Sequence, residues 1–174
     1  MQSYSDRLNK VCRCFTVSDP GKLFVLRTIA NIVLPVGADD TVGAIIEYAV
    51  LHLRVARVIV CGHSGCGGVA ALSAQLDMDA EPHLARWVEL ARPAVARVAA
   101  DAVPEAERAN ALVQANVLLQ CEDLRTYPCV AAALTAGTLR IYGAFYTLHS
   151  GEVLIYSDRR QAWVALPPAV EEGG

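Results

Sequence analysis

A histidine and a cysteine three residues apart carry the clearest chemical signal in this sequence. His63 and Cys66 follow an apolar run at residues 55–61 that only Arg57 interrupts. An imidazole nitrogen and a thiolate sulfur are both typical ligands of Zn²⁺. The spacing therefore predicts a zinc site to which both residues contribute. A catalytic zinc ion needs three protein ligands, so this pair supplies two of them.

Four glycines surround the pair, at positions 62, 65, 67 and 68. Glycine permits positive φ and a close approach of the backbone, which a tight turn at a strand end requires. We expect a helix from residue 68 to about residue 76, and its positive N-terminal end favours a thiolate at Cys66. In parallel sheets ligands bind beyond the carboxyl ends of the strands, where this turn is predicted to lie.

The composition predicts one domain and argues against several classes of function. The chain has 174 residues, of which 54% are hydrophobic, enough for a sizeable core. The net charge is −3 and no Lys/Arg cluster is present, so a nucleic-acid partner has no support. The apolar runs are shorter than the roughly 20 residues of a membrane span, so no membrane partner is expected. Because the polar start is unlike a signal peptide, we expect a cytoplasmic protein with reduced cysteines.

Strand and helix patterns alternate along the chain. Strands are predicted at residues 23–27, 55–61, 139–148 and 152–156, and helices at 40–53, 68–76, 80–102, 105–124 and 128–137. This alternation predicts an α/β fold with a mostly parallel central sheet flanked by helices and an antiparallel C-terminal edge strand. Residues 158–174 are expected to form a loosely ordered tail.

Several segments resemble the β-class carbonic anhydrase family. Residues 61–69 are similar to the second zinc motif of that family, and residues 20–31 to its Pro-Gly-Asp-Leu-Phe-Val-x-Arg-Asn-x-Ala-Asn segment. Further similar stretches, in the same order, are residues 46–50, 116–128, 142–146 and 150–153. The resemblance implies a β-carbonic-anhydrase-like domain at residues 20–157, after a divergent N-terminal segment at 1–19 and before the tail at 158–174.

The resemblance also implies a reaction. Two cysteines and one histidine hold zinc in that family, and zinc lowers the pKa of a bound water, so that hydroxide attacks carbon dioxide to give bicarbonate. His63 and Cys66 match two of these ligands. The resemblance thus implies Zn²⁺ as cofactor, carbon dioxide and bicarbonate as substrate and product, and a homodimer or a larger homo-oligomer.

The rest of the family's site has no direct match in this chain. The family carries its other cysteine together with a water-orienting Asp–Arg pair in a Cys-x-Asp-x-Arg segment, and no such segment occurs here. Counting back from the Pro-Gly turn by the usual family distance places Ser5 near the ligand position. An alignment with a two-residue insertion instead matches residues 3–7 to the segment, which keeps its arginine but has serine at both the Cys and the Asp positions. Asp6 and Arg7 are therefore the candidate catalytic residues.

Two cysteines upstream of the Pro-Gly turn are candidates for the third metal ligand. These are Cys12 and Cys14, and residues 11–17 around them also have the composition of a strand. Three functions remain open. The first is a zinc lyase with an incomplete or rebuilt ligand set, and the second is a related hydrolase of carbonyl sulfide or carbon disulfide. The third is a non-catalytic protein of the same fold, either a pseudoenzyme or a partner subunit.

Overall fold

The computed structural model describes residues 23–72, 79–100 and 103–166. In these ranges the helices are α1 Asp40–Glu47, α2 Gly67–Ala70, α3 Pro82–Glu89, α4 Arg92–Ala100, α5 Glu105–Arg125 and α6 Pro128–Thr135. The strands are β1 Arg57–His63, β2 Arg140–Tyr146, β3 Val153–Ser157 and β4 Ala162–Ala165. A 3-10 turn at Ile29–Asn31 precedes α1, and a π-helical turn at Tyr48–His52 continues it.

The four strands form one mixed sheet in the order β1-β2-β3-β4. β1 and β2 are parallel and pair from Arg57 opposite Arg140 to His63 opposite Tyr146. The two remaining pairs, β2 with β3 and β3 with β4, are antiparallel. The predicted α/β class and the antiparallel C-terminal edge are confirmed. Only one of the three pairings in the described part of the chain is parallel, so the sheet there is mixed rather than mostly parallel.

The strand predicted at residues 23–27 is not found. These residues form neither strand nor helix, and Leu23, Phe24 and Val25 leave 47%, 48% and 53% of their surfaces exposed. A strand needs a neighbour that pairs with its backbone groups. No described strand lies beside this segment, so its apolar composition alone does not produce a strand.

The C-terminal region differs from the predicted loose tail as far as residue 166. Residues 162–165 form β4, which pairs with β3 from Leu154 opposite Ala165 to Ser157 opposite Ala162. Trp163 anchors this strand, because its ring packs edge-on against Phe145 and Tyr156, with centroids 6.4 and 5.5 Å away. The remaining tail lies outside the described residues.

The long helix predicted at residues 80–102 is divided into α3 and α4. Pro93 stands in the first turn of α4 and has no N–H group to donate to the carbonyl of Glu89, where α3 ends. α3 therefore ends before the proline, and a new helix begins around it. The other long helices agree with the prediction to within a few residues. The helix predicted at 40–53 corresponds to α1 with its π-helical turn, that at 105–124 to α5, and that at 128–137 to α6.

α5 is the central helix of the described core and packs on both β1 and β2. Two glycines of the sheet permit this close contact. A Cβ atom on Gly62 would lie 2.6 and 2.7 Å from methyl groups of Val113 and Val117, and one on Gly143 would lie 3.1 Å from Val117. None of the helices in the described ranges has the length and apolar character needed to cross a membrane.

Candidate metal centre

The predicted zinc ligands lie together at the carboxyl end of β1. His63 is the last residue of the strand, and Cys66 immediately precedes α2. Between them the chain turns through Gly65, whose φ of +65° is accessible to glycine with little strain. We call residues 62–68 the metal loop. Its position at a strand end, followed by a helix, agrees with the position predicted from the sequence.

Hydrogen bonds fix the metal loop to the end of β2. The N–H of Ser64 donates to the carbonyl oxygen of Tyr146 at 2.9 Å. The N–H of Leu148 donates to the Ser64 hydroxyl, also at 2.9 Å. The loop therefore continues the parallel pairing of β1 and β2 beyond the last ladder residue.

The imidazole of His63 is oriented by the backbone beside it. Its Nδ1 lies 3.0 Å from the carbonyl oxygen of Ser64. A carbonyl oxygen can only accept, so Nδ1 carries a proton in this hydrogen bond, and Nε2 has the lone pair when the ring is neutral. Histidines that bind metals through one nitrogen commonly donate the other ring N–H to a carbonyl or carboxylate.

Cys66 lies in contact with His63 and is 8% exposed. Burial raises the pKa of its thiol. The hydrogen bond with His63 and the N–H groups of Val69 and Gly68 outweigh that effect, so the pKa is lowered overall. The same contact with Cys66 is the main cause of a raised pKa at His63, with a smaller contribution from the Ser64 carbonyl. The two shifts favour a thiolate at Cys66 beside a protonated imidazole at His63.

These two donors fit zinc, because thiolate sulfur and imidazole nitrogen are its common protein ligands. Among the described residues, a third donor is not found beside them. In the part of the chain that the structure describes, no three His, Cys, Asp or Glu side chains form a group that could hold a metal ion. The sequence candidates Cys12 and Cys14, together with Asp6 and Arg7, lie outside the described residues.

Ser64 and the Ile29–Asn31 turn are two features of this centre that the sequence did not indicate. The turn packs directly against Gly68 of the metal loop. Local patterns cannot show these contacts, since the partners are far apart in the chain. A serine inside a tight turn beside a metal ligand was the only available signal, and it does not specify a partner.

Comparison with known proteins agrees with this geometry. Residues 10–153 match a protein family described as carbonic anhydrase. A carbonic anhydrase of Pseudomonas aeruginosa is 40% identical over 163 residues, which are 91% of this chain and 74% of that protein. The solved structure of the β-carbonic anhydrase CcaA superposes with a TM-score of 0.76 at 29% identity, covering 95% of this chain and 78% of that one. The chain belongs to the β-carbonic anhydrase family.

Other β-carbonic anhydrases superpose comparably. One of the two tetrameric enzymes solved from Sordaria macrospora gives a TM-score of 0.68 at 30% identity, covering 87% of this chain and 72% of that one. Three further bacterial carbonic anhydrases are longer, and the chain spans 53%, 65% and 56% of their lengths. Zinc-dependent hydration of carbon dioxide is the general function of the family. The resemblance of residues 20–31 and 61–69 is thus confirmed as family membership.

Proposed function

We propose that this chain is a zinc lyase that interconverts carbon dioxide and bicarbonate. The observation that carries the proposal is the hydrogen bond from His63 Nδ1 to the Ser64 carbonyl, at 3.0 Å, beside a thiol whose pKa is lowered. This bond selects the tautomer whose Nε2 can bind a metal ion. Zinc binding needs a thiolate and a neutral imidazole, so it would displace the second ring proton that the raised pKa of His63 favours.

In this proposal His63 and Cys66 hold the zinc ion, and Cys12 or Cys14 provides the third ligand. Bound zinc supplies Lewis acidity, which lowers the pKa of a coordinated water molecule. The carbonyl of Ser64 holds the proton of His63 on Nδ1, and the N–H groups of Gly68 and Val69 hold negative charge on the Cys66 sulfur.

The candidates for catalysis are Asp6 and Arg7. In the proposed arrangement the guanidinium keeps the neighbouring carboxyl ionised, so that the carboxylate can accept a proton from the attacking water. An Arg7→Gln variant is therefore expected to lose activity while it keeps its zinc. Retention of full activity would remove these two residues from the mechanism.

The alternative is a non-catalytic protein of the same fold. One specific observation favours it, which is that no Cys-x-Asp-x-Arg segment occurs in the sequence. Without a carboxylate–guanidinium pair to orient water, a metal ion at this site would bind without efficient turnover. The two candidates differ in whether zinc-loaded protein hydrates carbon dioxide, and a direct assay separates them.

Zinc content of the purified full-length chain tests the metal site. We expect one zinc ion per chain, lost in Cys66→Ala and in His63→Ala. Cys129→Ala is the matched control, because Cys129 is a free, half-buried cysteine in α6, outside the metal loop. Separate Cys12→Ser and Cys14→Ser variants identify the third ligand. Zinc content that Cys66→Ala leaves unchanged would refute the assignment.

Stopped-flow hydration of carbon dioxide with a pH indicator tests the reaction. We expect a zinc-dependent rate above the buffer background that Cys66→Ala abolishes. The expected kcat/KM lies well below the diffusional ceiling of about 10⁸–10⁹ M⁻¹ s⁻¹ that the most efficient enzymes reach, because the Asp–Arg segment is altered. Stoichiometric zinc without any hydration would favour the non-catalytic alternative, and the same protein tested with carbonyl sulfide would reveal a hydrolase.

We further propose a homodimer or larger homo-oligomer in the cytoplasm. Large apolar side chains remain exposed on one chain, among them Phe24, Ile29, Leu51 and Ile59, at 48%, 55%, 55% and 45%. Clusters of exposed apolar residues are typical of interfaces between subunits. Light scattering after size-exclusion chromatography should give at least twice the chain mass of 18.6 kDa. A monomer at micromolar concentration would refute this proposal.

A further inference from the structure

The turn that packs against the metal loop has an unfavourable backbone conformation. Ala30 has φ 57° and ψ 28°, and Asn31 has φ 48°, so two consecutive non-glycine residues occupy the left-handed region. Alanine adopts this conformation only where the surrounding structure imposes it, whereas asparagine reaches it at lower cost. The Nδ2 of Asn31 is also buried without a partner among the described residues. Other parts of the chain must therefore hold the turn in place.

α5 supplies most of that support through two fully buried polar side chains. Asn116 Nδ2 donates to the carbonyl of Ala30 at 2.8 Å, and Gln120 Nε2 donates to Asn116 Oδ1 at 2.9 Å. Gln120 Oε1 accepts from the N–H of Val33 at 2.7 Å. Both side chains are 0% exposed. Buried amide groups need hydrogen-bond partners. Here the backbone of this turn and of the residues that follow it provides those partners.

A third bond, from α3, holds the start of the turn. The indole Nε1 of Trp87 donates to the carbonyl of Ile29 at 2.9 Å. The carbonyls of residues 29 and 30 thus both accept hydrogen bonds from side chains of helices, which compensates for the strained backbone between them.

The turn is in direct contact with the cysteine end of the metal loop. A Cβ atom on Gly68 would lie 2.7 Å from Ile29 Cγ2 and 3.1 Å from both Cβ and N of Ala30. The N–H of Gly68 is one of the two that bind the Cys66 thiol. A displacement of the turn would therefore move the peptide group that holds the sulfur.

We infer that Asn116 is a positioning residue for the metal centre, acting through the carbonyl of Ala30 and the backbone of Gly68 on the Cys66 sulfur. The inference depends on the proposed function in one respect, which is that the ion bound at the centre is zinc. α5 also contacts the other end of the loop, through Val113 and Val117 against Gly62. One helix thus sets both ends of the segment that carries His63 and Cys66.

Asn116→Leu and Tyr127→Phe form the matched pair of variants. Asn116→Leu keeps the shape of the side chain and removes its donor to Ala30. Tyr127→Phe removes a buried hydrogen bond to the same segment, from Tyr127 Oη to the carbonyl of Leu34 at 2.7 Å. The three atoms nearest to a Cβ on Gly68 belong to Ile29 and Ala30, not to Leu34. Both variants should lower Tm, whereas only the first should disturb the metal loop.

Zinc and cobalt binding by the full-length chain give the first readout. We expect Asn116→Leu to weaken zinc binding about tenfold or more in a chelator competition, as removal of supporting groups around metal ligands typically does. Its Co²⁺ complex should show a shifted thiolate-to-metal absorption band. Tyr127→Phe should match the unsubstituted chain in both measurements.

Amide hydrogen exchange of the metal-free protein gives an independent readout. We expect the N–H groups of Gly68 and Val69 to exchange at least about tenfold faster in Asn116→Leu than in Tyr127→Phe.

Should Asn116→Leu not fold, Trp87→Phe removes the bond to Ile29 and tests the same turn. Equal exchange in the matched variants would overturn the inference. If the unsubstituted chain binds neither metal, the proposed zinc function fails, and the exchange comparison still decides the role of Asn116.

Discussion

Ser64 supports the candidate metal centre through three hydrogen bonds, more than its residue type leads one to expect. Its N–H, its carbonyl and its hydroxyl each make a different hydrogen bond, to Tyr146, His63 and Leu148. The first bond joins the metal loop to the last residue of β2, and the third joins it to the segment that follows β2. The second orients the imidazole. The hydroxyl is the only one of these groups that a substitution can remove without disturbing the backbone.

Replacement of Ser64 by alanine should loosen the loop without removing a metal donor. The N–H of Leu148 would lose its partner, which costs about 1 kcal/mol at a partly buried site and lowers Tm by roughly 2–4 °C. Ser64→Thr keeps the hydroxyl and is the control. We expect zinc content near that of the unsubstituted chain and weaker binding in a chelator competition. Identical Tm values for Ser64→Ala and Ser64→Thr would contradict this role.

The sequence predicts the metal donors of this centre but not their support. His63 and Cys66 stand three residues apart after an apolar strand, and such local spacing is visible without a structure. Ser64 binds Leu148 across 84 positions, and Asn116 binds Ala30 across 86. Nothing in either local sequence specifies the other partner. The supporting contacts therefore become visible only in the folded chain.

At the scale of elements, the packing of α5 on β1 depends on the missing side chain of Gly62. A Cβ atom there would lie 2.6 Å from Val113 Cγ1 and 2.7 Å from Val117 Cγ2. These distances are far shorter than van der Waals contact. α5 also packs closely on Gly143 of β2, where a Cβ would lie 3.1 Å from Val117 Cγ1. A shift of the helix away from Gly62 would therefore also weaken its contact with Gly143.

Gly62→Ala should therefore destabilise the fold through overpacking. We expect a loss of about 1–3 kcal/mol in the free energy of unfolding, measured by urea titration. Gly67→Ala is the control in the same loop, because a Cβ atom there has no neighbour within 4 Å. Adding Val113→Ala to Gly62→Ala should recover part of the loss. Equal midpoints for the two alanine variants would contradict the close packing of α5.

α1 begins at a cap whose strength depends on pH. Asp39 Oδ1 accepts from the N–H groups of Val42 and Thr41, and these bonds lower the pKa of the carboxyl. A group whose pKa is lower in the folded chain stabilises the fold above its unfolded pKa of about 4. That contribution is lost as the pH falls through the folded pKa.

Asp39→Ala should lower Tm by roughly 2–4 °C near neutral pH, and by less in acid. Thermal scans from about pH 7 down to about pH 3 measure the difference. Asp39→Asn is the control, because an amide oxygen caps a helix without titrating. A difference in Tm between Asp39→Ala and the unsubstituted chain that stays constant over this range would contradict a charged cap.

Helices and strands that local sequence determines are predicted more accurately than those that depend on a distant partner. α5 is predicted to within one residue, since Pro104 precedes it and its charges suit a helix, with Glu105 and Glu107 in the first turn and Arg125 in the last. The strand expected at residues 23–27 depended on a partner strand, which the described residues do not provide. Pro93 was visible in the sequence, but its effect depends on the helix that precedes it.

At the scale of the whole molecule, the hairpin of β3 and β4 completes the described core. Trp163 is partly buried and packs against both clusters of buried side chains. One cluster includes Phe145 and Cys66, and the other includes Val60 and Val117. A residue in the region expected to be a loose tail thus joins the two halves of the interior.

Trp163→Ala should lower the free energy of unfolding by about 2–3 kcal/mol, less than for a fully buried tryptophan. Trp163→Phe should recover most of that loss, because a ring can still meet Phe145 and Tyr156 edge-on. Chemical denaturation monitored by circular dichroism measures both variants. A loss below about 0.5 kcal/mol in Trp163→Ala would mean that β4 adds little beyond its backbone pairing.

The two positive φ angles beside the metal loop also bear on the order in which the chain can assemble. Ala30 is synthesised early, yet the amide that holds it belongs to Asn116, and the partner of Ser64 is Leu148. Closing chain segments of this length loses entropy before any contact repays the loss. During synthesis His63 and Cys66 therefore emerge from the ribosome well before Asn116 and Leu148. Until those two residues have joined the fold, we expect the candidate metal donors to be close in sequence but not yet held in a fixed arrangement.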